Sequence, residues 1–66
     1  MTDRRQRNSN QVMKLVVQML KDNGPMTRYE IRSQLNLYGG TVVNSGINYL
    51  LLTGEISENG DSRLQA

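Results

Sequence analysis

Four interruptions decide what this chain can fold into. Asn23-Gly24-Pro25, Gly39-Gly40, Gly54 and Asn59-Gly60 cut its 66 residues into short stretches. Glycine after a helix supplies the left-handed exit, and a following proline prevents the helix from continuing. Asn-Gly between extended segments is a strong two-residue hairpin signal. A single small domain built from short elements is what this punctuation permits.

The stretches between the breaks differ in period. Residues 1–9 are polar, include Arg4, Arg5 and Arg7, and show no apolar periodicity. They are expected to form a flexible basic arm, with the folded domain over 10–66. Asn10 is placed to cap a first helix over Gln11 to Asp22. Its apolar residues Val12, Leu15, Val16, Met19 and Leu20 recur at helical spacing, with Met13 and Val17 widening the stripe. After the short strand-like Pro25-Met26-Thr27, Thr27 and Glu30 have the spacing of a capping box opening a second helix. Ile31 and Leu35 give that helix one apolar edge, and Asn36 and then Gly39-Gly40 end it. Thr41 is expected to cap a third helix running to about Thr53, with Gly54 as its stop and Val43, Ile47, Leu50 and Leu51 as its buried stripe. Beyond it, Ile56 and Leu64 flank the Asn59-Gly60 turn. A three-residue loop would set those two opposite each other, and a two-residue turn would not.

Composition removes several functions. The chain has no Cys and no His, which excludes disulfides, thiolate chemistry and the usual metal or acid–base imidazole. Its six carboxylates form no pair at catalytic spacing: Asp3, Asp22 and Glu30 are scattered, and Glu55, Glu58 and Asp61 surround a turn. No enzyme activity, metal or cofactor is expected. The apolar runs fall far short of the ~20 residues a membrane span needs, and no signal-peptide core follows the basic start. A soluble cytoplasmic protein is expected, with the nucleoid its location if it binds DNA. Net charge is +2, unevenly spread. Residues 1–33 carry seven Lys/Arg against three Asp/Glu, and residues 34–66 carry Arg63 against three. Polyanions are attracted to one end and mildly repelled from the other.

The runs PMT-x-x-E-I-x-x-x-L-x-L and V-x-x-x-I-x-x-L-x-x-x-G-E-I, in this order and spacing, resemble the winged helix-turn-helix DNA-binding domains of small prokaryotic and phage-type transcription regulators. The resemblance covers about residues 11–65, and its most specific part is Ile47, Leu50, Gly54 and Ile56. It implies an α+β, mostly α fold: three helices and a C-terminal β-hairpin wing. It also implies that the third helix lies in the major groove of double-stranded DNA. Two positions depart from the usual pattern. Arg32 stands where a small residue commonly follows the second-helix Ile. The turn NLYGGT is about one residue longer than usual, so either Val42 or Val43 is the first buried position.

With Val43, Ile47 and Leu50 inward, a step of about 100° per residue turns Thr41, Ser45, Asn48, Tyr49 and Leu52 outward, with Asn44 toward the margin. Asn pairs with adenine, and Thr and Ser bond several bases. No Lys or Arg lies between Arg32 and Arg63, so attraction to DNA must come from elsewhere. Arg28 and Arg32 would grip the backbone, Arg4, Arg5 and Arg7 would lie along backbone or minor groove, and Arg63 would serve from the wing. Tyr38 and Tyr49 are candidate base or sugar contacts or half-buried core. Gly39, Gly40 and Gly46 would admit a close phosphate, although the first two are turn residues and Gly46 serves equally for close helix packing. So few cationic contacts imply weak binding by a monomer, and therefore a homodimer, cooperative neighbours on DNA or a protein partner. The acidic wing supports an alternative: a protein-interaction module of the same fold that modulates another regulator or polymerase.

Overall fold

The computed structural model describes residues 4–66, with side chains from Ser9 onward. Helix α1 spans Arg4–Asn23, α2 Arg28–Gln34 and α3 Gly40–Thr53, with a 3-10 turn at Asn36–Tyr38 between the last two. Strands β1 (Ser57–Glu58) and β2 (Leu64–Gln65) form an antiparallel hairpin. This is the three-helix, winged helix-turn-helix arrangement.

Helix α1 begins at Arg4 and not at an Asn10 cap, so residues 4–9 are helical where a flexible arm was expected. No Gly or Pro precedes Gly24, and Arg and Gln extend a helix readily once a packed segment nucleates it. Residues 1–3 lie outside the described part. The helix ends as its sequence requires: Gly24 takes φ 79° and donates its N–H to Leu20 O at 3.0 Å, and Pro25 follows.

The second helix opens on the expected capping box. The Glu30 amide donates to Thr27 Oγ1 at 3.1 Å, and the Thr27 amide donates to Glu30 Oε1 at 3.0 Å. Those bonds from Thr27, the backbone N–H first and the hydroxyl second, hold the Glu30 carboxyl below its ordinary pKa, with a smaller attraction from Arg63. A carboxyl with a lowered folded pKa stabilises the fold fully above its unfolded pKa, about 4.3. That contribution fades as pH falls through this value to the lower folded one. Glu30→Gln preserves the box without the titration. Its melting temperature is therefore expected to fall less than that of the parent chain between about pH 7 and about pH 3. Equal falls would show that the box is not carrying charge.

The core is one cluster. Helix α1 contributes Val12, Val16 and Leu20, α2 and its end Ile31 and Leu35, α3 Val43, Ile47 and Leu50, and the hairpin Ile56 and Leu64, with Met26 between. Val43, and not Val42, is the first buried residue of α3; Val42 is half-buried. Gly46 is buried against α1, where a Cβ would stand 3.2 Å from Val12 Cγ1 and 3.4 Å from Met13 Cγ. It is therefore a packing residue and offers no approach to phosphate. Gly46→Leu is expected to force the two helices apart at a cost of about 1–3 kcal/mol, read as a lower urea midpoint; an unchanged midpoint would mean α1 is not seated there.

One expectation about the turn region changes. Thr41 does not cap α3: Gly39 occupies the cap position with no side-chain bond, and Val43 N–H donates to Gly39 O at 3.2 Å. The tight 3-10 turn moves the cap two residues earlier, from Thr41 to Gly39, and turns Leu37 fully outward, 96 % exposed, while Tyr38 packs on the core. Gly54 ends α3 in the left-handed region at φ 84°, as expected.

The hairpin loop is three residues, Gly60-Asp61-Ser62. Ser62 takes φ 61°, and Asn59 Oδ1 accepts from the Asp61 and Arg63 amides at 2.9 and 3.1 Å. This loop is centred one residue later than an Ile56–Leu64 pairing needs, so Leu64 stands opposite Glu58. Leu64 also exchanges backbone bonds with Met26, at 3.0 and 2.6 Å. The segment before α2 thus ties the wing to the helices.

Candidate nucleic-acid interface

The basic edge of α2 meets the polar face of α3 at two places. Arg28, the first residue of α2, is half-buried and donates from Nη1 to Asn44 Oδ1 at 3.0 Å. One turn later Arg32 crosses the start of α3, its Nη2 3.0 Å from where a Cβ on Gly40 would lie. A side chain at Gly40 would crowd the Arg32 guanidinium. A shallow depression lined by Arg32, Gly40, Thr41, Asn44 and Ser45 opens on this surface. A second, lined by Tyr29, Arg32, Ser33, Asn36 and Gly40, shares its arginine and glycine.

Thr41, Asn44, Ser45, Asn48 and Leu52 are all exposed, in agreement with the helical phase. The first helical bond of α3 runs from Val43 to Gly39, so the amides of Gly40, Thr41 and Val42 have no intrahelical acceptor. They add a partial positive charge to a surface that already carries two guanidinium groups. The arrangement is rich in donors and poor in carboxylates, which suits an acceptor-rich or anionic ligand. Comparison of the chain with protein-family models, curated proteins and solved structures found no match. Among the described residues, no group of three or more His, Cys, Asp or Glu could hold a metal ion. No helix among them is long and apolar enough to cross a membrane.

Not every candidate joins this surface. Arg28, Arg32, Gly40, Thr41, Asn44 and Ser45 come together, and Asn48 continues the same exposed face one turn on. Tyr38 packs on the core instead. Tyr49 lies at the margin nearest α1, 55 % exposed, over a groove it shares with Met13, Lys14, Val17 and Gln18. Arg63 is exposed on the wing, close enough to Glu30 to act on its carboxyl. The side chains of Arg4, Arg5 and Arg7 lie outside the described residues. The Arg28–Asn44 bond escaped the sequence reading, because its partners are sixteen residues apart and only tertiary packing joins them. Tyr29, Ser33 and Asn36 also border this surface, brought there by the packing of α2 against α3.

Proposed function

We propose that the chain is a sequence-specific double-stranded DNA-binding protein, a small transcriptional regulator that lays α3 in the major groove. The observation that carries this reading is the junction of Arg28 and Arg32 with the exposed Thr41, Asn44, Ser45 and Asn48. It sets groups that hold phosphates beside groups that read bases. In this account Arg32 and the start of α3 meet the backbone, and Asn44, Ser45 and Asn48 meet base edges. Arg4, Arg5 and Arg7 supply three of the eight positive charges of the chain and extend the attraction along the duplex.

About four or five phosphate contacts predict a log–log salt slope near −4. Titration of a mixed-sequence duplex at low and moderate salt tests the reading: binding should weaken steeply as salt rises, and no binding at either salt would overturn it. Deleting residues 1–8 is expected to weaken duplex binding about tenfold at moderate salt and to make the slope shallower. Equal affinity with and without the segment would remove it from the interface.

A second reading rests on the wing. Glu55, Glu58 and Asp61 outnumber Arg63 there, and Leu37 and Leu52 are 96 % and 85 % exposed. A module that docks another protein, such as a regulator or polymerase, would use such groups. It would show no salt-dependent duplex binding.

A further inference from the structure

Asparagine alone in a major groove pairs with adenine, accepting from N6–H and donating to N7. Asn44 is not alone. A guanidinium has five donors and no acceptor, so the Asn44 atom that faces Arg28 Nη1 at 3.0 Å is necessarily Oδ1. That bond sets the carboxamide with its acceptor toward α2 and its two N–H donors free. The same bond places a full positive charge beside Oδ1, which disfavours the approach of another partly positive amino group such as adenine N6 or cytosine N4. Arg32, lining the same depression as Asn44, adds a second positive charge.

We infer that Arg28 is a positioning residue that makes Asn44 a donor-only reader, so that the base Asn44 meets is guanine and not adenine. Guanine is the base whose major-groove edge offers two acceptors, O6 and N7, and no donor. Thymine offers O4 alone. The two free Nδ2 donors of Asn44 match that two-acceptor edge. This inference rests on the DNA-reading proposal and specifies what one of its residues recognises.

The test begins with the sequence selected by the full chain from a random duplex pool. Each position is then varied through all four bases, and binding is measured for the parent chain, Asn44→Ala, Arg28→Ala and Arg28→Lys, with helical circular dichroism confirming that each is folded. One position should lose its preference in Asn44→Ala. There the parent chain should favour guanine over adenine roughly tenfold, and 7-deazaguanine, which lacks the N7 acceptor, should bind more weakly. Arg28→Ala frees Oδ1 and should bring the guanine-to-adenine ratio at that position down to one or below, toward the adenine pairing of a lone asparagine. Arg28→Lys keeps a donor for Oδ1 and should retain the preference. A purely structural role for Arg28 would lower affinity for every duplex with the ratio unchanged, and that result overturns the inference. Adenine preferred at the Asn44-dependent position, or no such position in a selected site, overturns it as well while leaving DNA reading intact. If the parent chain binds no duplex, the proposed function fails and this inference fails with it.

Discussion

Leu50→Ala is expected to leave the chain largely unfolded. Leu50 is 2 % exposed and lies in the single core cluster formed by the three helices and the hairpin. Its backbone carbonyl also accepts from the amides of Gly54 and Glu55, both at 3.1 Å, so the side chain packs where α3 ends and the wing begins. Truncating a buried leucine costs roughly 2–5 kcal/mol. A chain of this size without disulfide or metal has a total stability of roughly 3–5 kcal/mol, so one substitution consumes most of it. Leu52 provides the control. It is 85 % exposed, and Leu52→Ala should change stability by less than about 0.5 kcal/mol. Urea denaturation followed by circular dichroism compares the two. Greater damage from Leu52→Ala would mean that Leu52 is covered by a second subunit, or that α3 is rotated from the phase described.

The second large effect is on reading. Asn48 is exposed on the face of α3 opposite Leu50 and carries both a donor and an acceptor but no charge. If it meets a base edge, Asn48→Ala loses roughly 1–3 kcal/mol on the preferred sequence and little on random duplex. Arg32→Ala should behave in the contrasting way, weakening binding to every sequence and reducing the salt slope by about one contact. Arg32 is the better backbone probe because Arg28 is already engaged with Asn44. A uniform loss for Asn48→Ala would assign it to the backbone. No loss for either variant would turn the account toward protein docking through α3.

What was legible beforehand was local physics. The capping box at Thr27 and Glu30, the left-handed exits at Gly24 and Gly54, and the inward face of Val43, Ile47 and Leu50 each follow from groups within a few residues of one another. These are spacings that a sequence displays directly. The start of α1 was not legible, because no residue before Asn10 forbids a helix and its extension depends on what is already nucleated. The turn was not legible either. Leu37 and Tyr38 are both large and partly apolar, and only the 3-10 conformation decides that Leu37 faces solvent while Tyr38 packs inward. In the hairpin, Asn59 Oδ1 binding two amides and Ser62 in the left-handed region select the loop, and with it the register. At the interface, the outward residues of α3 could be listed by angle, but their division among neighbours could not. Tyr49 leans toward α1, Asn44 is tied to α2, and Thr41, Ser45 and Asn48 remain open.

Selection from a random duplex pool, followed by measured affinities for the selected and a scrambled sequence, tests the central claim most directly. The account predicts an enriched sequence bound about a thousandfold more tightly than its scrambled form, the low end for specific DNA binders. It also predicts that binding to both sequences weakens with salt. A chain that enriches no sequence, or binds both forms equally, would contradict the claim that α3 reads bases.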